Sequence, residues 1–61
     1  MYNLSERRDK ENSEIYIGTY KEKPFVIEIL KSPFYLTYDL LEGDLDQKEA
    51  RLLAEEIFET M

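Results

Sequence analysis

The sequence predicts an α+β fold, a three-stranded antiparallel β-meander with one C-terminal α-helix packed on one face. Three β-rich runs, at 14–21, 25–31 and 34–40, are separated by the short segments KEKP and KSP. The segment DLDQKEARLLAEEIFETM repeats apolar residues at helical spacing. The chain has 61 residues, which allow one thin domain. We place that βββα domain at 14–61.

The segment before it, 1–13, has no hydrophobic period. Ser5 is a residue type that caps helices, so one short helix is an alternative there. The stretch SERRDKENSE is otherwise polar and charged. We therefore predict a flexible N-terminal arm or a short helix.

The first β-rich run contains EIYIGTY, in which Ile15 and Ile17 alternate with Tyr16 and Tyr20. A three-residue EKP loop after this run places its isoleucines opposite those of the second run. A two-residue loop would turn Tyr16 to the core, so we reject it. The isoleucines are therefore expected to face the helix, and the tyrosines to lie on the open face of the sheet.

The second turn is expected at Ser32 and Pro33, with a loop of either two or four residues. Both loop lengths bring Leu36, Tyr38 and Leu40 to the face that carries the isoleucines. This face should be closed by the helix. The predicted core consists of Ile15, Ile17, Phe25, Ile27, Ile29, Leu36, Leu40, Leu53, Ala54, Ile57 and Phe58.

The C-terminal segment carries the signals of a helix start. Asp46 is a good N-cap, and Glu49 three residues later completes the spacing of a capping box. Leu45 and Ala50 have the spacing of a hydrophobic staple. The apolar stripe that follows consists of Ala50, Leu53, Ala54, Ile57, Phe58 and Met61.

Composition excludes several classes of site. The chain has no cysteine and no histidine, so thiolate chemistry and the usual general base are missing. Asp44, Asp46 and Glu49 lack the spacing of a calcium loop, and the helix cap already explains them. We predict a protein that is not an enzyme and has no cofactor, metal or small-molecule substrate. No apolar run approaches a membrane span and the N-terminus is too polar for a secretory signal, so a cytoplasmic location is expected.

Charge is distributed unevenly along the chain. Residues 1–38 hold six acids and six bases, so the whole net charge of -6 comes from residues 39–61. Glu55, Glu56 and Glu59 crowd the last turns of the predicted helix, where the helix dipole is already negative. This asymmetry favours a protein partner with a basic surface and argues against nucleic acid.

The function predicted from these features is that of a small acidic protein-binding module, an inhibitor or modulator that occupies a basic surface. Small acidic inhibitors encoded by phages and mobile elements, including nucleic-acid mimics, share this size and charge. The alternative is a homodimer that uses the open tyrosine-bearing face or an edge strand. The predicted partner-binding residues are Tyr16, Tyr20, Leu30, Tyr35, Glu55, Glu56 and Glu59.

The segment KEARLLAEEI is similar to the last helix of double-stranded RNA-binding domains. If the N-terminal arm is a short helix, the order of elements also resembles that family. The resemblance covers the last third of the chain and implies double-stranded RNA as another alternative partner. That family offers basic residues at the start of this helix, where the present chain has DLDQKEAR, with Lys48 and Arg51 among acids. No site residue is carried over.

Overall fold

The computed structural model describes residues 2–31 and 34–59 and has α+β architecture. Four antiparallel strands form one open sheet in the order β1-β2-β3-β4, followed by one C-terminal helix. The predicted class and the position of the helix are confirmed, whereas the predicted number of strands is wrong. In chain order the elements are β1 (Tyr2–Asp9), β2 (Ser13–Tyr20), β3 (Lys23–Leu30), β4 (Tyr38–Gly43) and α1 (Gln47–Glu59).

The extra strand, β1, occupies the segment predicted as an arm or short helix. It pairs with β2 along its length and contains a bulge at Ser5. Its side chains are almost all exposed, so no hydrophobic alternation reveals it in the sequence. Ion pairs supplement the backbone pairing, with Arg7 3.2 Å from Glu14 and Lys31 2.6 Å from Asp9. The order of elements therefore differs from that of a double-stranded RNA-binding domain, because the first element is a strand.

The turn between β2 and β3 has two residues, Lys21 and Glu22, and Tyr20 pairs with Lys23. Both turn residues have positive φ, 51° and 69°, as a type I′ turn requires. The predicted three-residue loop is wrong. Pro24 lies within β3 instead, opposite Thr19 and one residue before the start of the pairing with β4. A proline is tolerated there because it has no β4 neighbour to which it must donate.

The shorter turn reverses the predicted faces of β2. Tyr16 pairs with Ile27, and Ile17 pairs with Val26. Opposite residues of an antiparallel ladder share a face, so Tyr16 joins Ile27 on the helix side. The predicted placement of the isoleucines of β2 against the helix is wrong for the same reason.

Strand β4 begins four residues later than the predicted third run and ends at Gly43. Ile29 pairs with Tyr38 and Ile27 with Leu40, a shift of two residues from the predicted register. A shift of two keeps every side chain on its expected face. A bulge at Leu41 follows. The turn predicted at Ser32 and Pro33 lies outside the described residues.

The helix begins as the sequence predicts. The backbone N–H of Glu49 donates to Asp46 Oδ1 at 2.7 Å, and the N–H of Asp46 reaches Glu49 Oε1 at 3.5 Å. This reciprocal pair is the capping box. Leu45 and Ala50 are both buried, in agreement with the predicted staple. Of the predicted stripe, Met61 lies outside the described residues.

The core lies between the helix and the face of the sheet that carries Tyr16. The helix packs over β3 and β4. Ile15 is buried but lies on the opposite face, and Ile17 is half-buried there. The core cluster consists of Tyr16, Tyr20, Phe25, Ile27, Ile29, Leu45, Ala50, Leu53, Ala54 and Ile57, with Leu36, Leu40 and Phe58 among the half-buried residues packed against it.

Candidate partner-binding surface

The two tyrosines of β2 belong to the core. Tyr16 and Tyr20 are only 4% and 3% exposed, so their predicted placement on the open face is wrong. The Tyr16 hydroxyl donates to Glu14, which also accepts a 3.2 Å hydrogen bond from Arg7. Burial and the neighbouring Glu14 carboxylate raise the pKa of Tyr16 to about 12. The ring therefore packs inside while its hydroxyl is held by a charged pair at the rim.

The open face of the sheet carries aliphatic side chains instead of tyrosines. Ile17 and Val26 lie half-buried beside a groove of about 560 Å³, and Glu42 is the one charged residue that lines it. Further along this face, Glu28 accepts a 2.7 Å hydrogen bond from the Ser13 hydroxyl. This face is therefore apolar around the groove, and it carries the carboxylates of Glu28, Asp39 and Glu42 on β3 and β4.

The other two predicted apolar anchors are exposed. Leu30 is 41% exposed at the end of β3, and Tyr35 is 68% exposed in the connection to β4. Phe34, beside Tyr35, is 88% exposed. The N–H of Leu30 donates to the Thr37 carbonyl at 2.9 Å, which brings the start of β4 against the end of β3.

A furrow follows the line where β4 meets the helix, and we call it the β4–α1 seam. Its first part, about 640 Å³, runs from Leu45 to Arg51 along the helix. Its second part, about 390 Å³, runs from Arg51 to Glu59. Tyr38 and Arg51 line both parts, so the two parts adjoin at these residues. The second part is lined by Leu36, Tyr38, Arg51, Glu55, Phe58 and Glu59.

The second part of the seam combines an apolar floor with a charged rim. Leu36, Tyr38 and Phe58 are half-buried against the core and form the floor. Glu55 on the rim accepts a 3.0 Å hydrogen bond from Arg51, the i,i+4 pair that the sequence indicates. Glu59 makes no ion pair with any base in the described part of the chain.

Carboxylates without a cation concentrate in β4, the turn after it and the helix. Within residues 2–31 and 34–59, six acids of β4, the following turn and the helix form no ion pair within 4.0 Å. The last turn of the helix holds no base, so its acids add to the negative end of the helix dipole. Four of the six ion pairs within the described ranges instead link residues of the first three strands and their connections. The six acids are Asp39, Glu42, Asp44, Asp46, Glu56 and Glu59, of which Asp46 caps the helix.

The structure thus brings together only part of the predicted site. Glu55 and Glu59 line the seam, Glu56 lies exposed on the same helix, and Tyr35 adjoins the floor residue Leu36 in sequence. The sequence reasoning missed Tyr38 and Phe58 as surface residues, because their periodicity indicates only the face that they share with the core. The signal that could have identified them is their position at the edge of the apolar face of a strand or helix, where a side chain is only partly covered.

In the described ranges no three acidic, histidine or cysteine side chains cluster as metal ligands would. Those ranges likewise contain no helix of the length and hydropathy needed to cross a membrane. Comparison with protein-family models, with curated proteins and with solved structures gave no match for this chain.

Proposed function

We propose that this protein is a non-enzymatic binding module that occupies a basic segment or surface of a partner protein through the β4–α1 seam. The observation that carries the proposal is the apolar floor of the seam beside carboxylates that have no cation of their own. A partner residue with an apolar stem and a cationic head, such as lysine or arginine, matches both features. The role that fits is that of an inhibitor or modulator.

The charge distribution supports a basic partner. All of the net charge of -6 arises in residues 39–61, a range that contains most of β4, the following turn and the helix. Exposed charges of one sign speed the encounter with a partner of the opposite sign and determine its orientation. The uncompensated acids at the end of the helix also cost the free protein stability, and a bound cation would relieve that cost.

The apolar contribution comes from the floor of the seam and the aromatic residues near it. Tyr38 and Phe58 are half-buried, while Phe34 and Tyr35 in the preceding connection are strongly exposed. Aromatic residues are enriched at the energetic centres of protein interfaces. Phe34 and Tyr35 therefore extend the surface that a partner would cover beyond the seam itself.

The test is capture from a lysate of the source cells with three baits, at about 50 and about 300 mM salt. The baits are wild type, the seam variant Asp39→Asn/Glu59→Gln, and the control Glu11→Gln/Glu22→Gln. Glu11 and Glu22 are exposed, form no ion pair among the described residues, and lie in the hairpin connections. The seam variant and the control therefore change the net charge equally.

The proposal predicts that wild type and control capture the same protein. The seam variant should capture less of it, and the difference from wild type should be larger at low salt. The lost protein, once identified by mass spectrometry, should carry a basic surface. Equal capture by all three baits, or no specific capture by any of them, would refute the seam as the binding surface.

A homodimer is the second candidate, favoured by the apolar groove on the open sheet face. Ile17 and Val26 there have no layer of this chain's described residues over them. Sedimentation over a wide concentration range, with wild type and Val26→Lys, tests this candidate. A dimer that Val26→Lys dissociates would support it, and a monomer at every concentration would exclude it.

A further inference from the structure

A sheet edge runs beside the seam. β4 is the last strand of the sheet and pairs with β3 alone, so one side of its backbone has no strand neighbour among the described residues. Pairing with β3 starts close to Thr37, whose carbonyl accepts from Leu30, and continues through Tyr38 and Leu40. The bulge at Leu41 interrupts it. The regular part of this edge is therefore Thr37 to Leu40.

Side chains of β4 divide between two environments. Tyr38 and Leu40 point to the helix side, whereas Asp39 pairs with Glu28 on the open face. All three residues line the first part of the seam. A strand added beside β4 would follow the same alternation, since residues opposite each other share a face. Its residues opposite Tyr38 and Leu40 would enter the seam, and its residue opposite Asp39 would face a carboxylate that has no cation.

We propose that the partner's basic segment binds as an extended strand paired with Thr37–Leu40, with alternate apolar side chains in the β4–α1 seam and a lysine or arginine opposite Asp39. This inference rests on the proposed function and specifies its binding mode. Strand addition of this kind takes affinity from backbone hydrogen bonds and specificity from the alternate side-chain pockets. The expected sequence pattern of the partner is apolar, basic, apolar.

Two features of the molecule select this occupant and this edge. If a second copy paired through β4, the C-terminal parts of the two chains would lie side by side, and each carries the full net charge of -6. These like charges would repel each other, so a basic strand is the preferred occupant. The other edge, β1, is interrupted by a bulge at Ser5, and its charged residues Glu6, Arg7, Arg8 and Asp9 all form ion pairs within this chain. Bulges and charges of that kind protect an edge against pairing.

The experiment uses three synthetic peptides as probes. The first is acetyl-Val-Lys-Val-Lys-Val-Lys-amide. The second has the same sequence with the backbone nitrogens of its valines methylated, which removes the donors that would face the outward carbonyls of Tyr38 and Leu40. The third replaces lysine by glutamate and so reverses the charge. Each is titrated into the full-length 15N-labelled protein, and amide chemical shifts and hydrogen exchange are measured.

The first peptide should shift the amides of Thr37 to Leu40 and slow the exchange of at least one of them, while the amides of Arg7 and Arg8 on β1 stay unchanged. N-methylation should weaken its binding at least tenfold, since several backbone bonds are lost. The glutamate peptide should not bind. In the protein, Asp39→Asn should weaken binding of the first peptide a few-fold at low salt, whereas Glu11→Gln should leave it unchanged.

Equal binding of the methylated peptide, or shifts confined to the helix, would overturn strand addition. The lysate experiment could still support the acidic seam in that case, so the two proposals fail separately. If neither lysine peptide perturbs β4, strand addition is likewise refuted, because an edge that accepts basic strands should respond to this simple one.

Discussion

The turn of the β2–β3 hairpin offers a direct test of the register, because two non-glycine residues adopt left-handed conformations there. Glu22 has a φ of 69° and Lys21 a φ of 51°. A left-handed conformation costs an L-residue about 1–2 kcal/mol, and glycine avoids that cost. Glycine also loses about 0.5–1 kcal/mol more conformational entropy on folding. Glu22→Gly should therefore raise the free energy of unfolding by about 0.5–1 kcal/mol.

The assay is urea denaturation followed by circular dichroism, in which the midpoint should rise at an unchanged slope. Glu11→Gly is the matched control. Glu11 is also exposed in a connection between two strands, and its φ is not positive. That variant should lose about 0.5–1 kcal/mol because only the entropic cost remains.

Equal destabilisation by both substitutions would refute the two-residue turn. The register and the burial of Tyr16 would then be wrong as well. Lys21 stays in both variants, so its position 5.4 Å from the centre of the Tyr20 ring does not affect the comparison.

Three further predictions concern the sheet and the helix. In an ultraviolet titration Tyr16 should ionise near pH 12, and Tyr16→Phe should remove that step. Because the pKa of Tyr16 is raised in the folded state, the stability that Tyr16 contributes is complete below pH 10 and is lost as the pH rises through 12. A titration unchanged in Tyr16→Phe would contradict this. Gly18→Ala should destabilise the protein by roughly 1–3 kcal/mol and speed amide exchange in β1, because the new Cβ would lie 1.9 Å from the Asn3 carbonyl oxygen. A Gly18→Ala variant as stable as wild type would contradict this close approach. Asp46→Ala should lower the free energy of unfolding by about 1 kcal/mol through loss of the N-cap, as urea denaturation would measure, and no change would show that the cap is unimportant.

The helix was predictable because its signals are local. Asp46, Glu49, Leu45 and Ala50 specify the start within six residues of sequence, and each makes the predicted contact or is buried as expected. The faces of β4 were also predictable, since an error of two residues in register leaves the side-chain direction unchanged. Short-range rules therefore succeed where neither tertiary packing nor an unusual turn intervenes.

The register of β2 was not predictable from the same rules. Lys21 and Glu22 are poor residues for a type I′ turn, and Pro24 suggested a loop where β3 in fact begins. Isoleucine is also more often fully buried than tyrosine, so composition favoured the wrong face of β2 as the core face. Because the helix packs over β3 and β4, β2 lies to one side of it, where the long ring of Tyr16 fills the core and its hydroxyl reaches Glu14.

The candidate site was only partly predictable for a related reason. Charge can be counted in a sequence, and the excess of acids after residue 38 indicates the C-terminal part of the chain as the candidate region. Strand β1 has no apolar pattern because an edge strand can be held by backbone bonds and ion pairs. The seam arises only when β4 and the helix meet, so the sequence offers no more than an edge position in an apolar pattern as a signal for its floor residues Tyr38 and Phe58.

The central claim is that the β4–α1 seam is the surface that a partner protein covers. Amide hydrogen exchange of the full-length protein, free and with the partner captured in the lysate experiment, tests it most directly. We predict slower exchange at Thr37 to Leu40 and an unchanged rate along Arg7 and Arg8 of β1. Protection of β1 with no change at β4 would contradict the account.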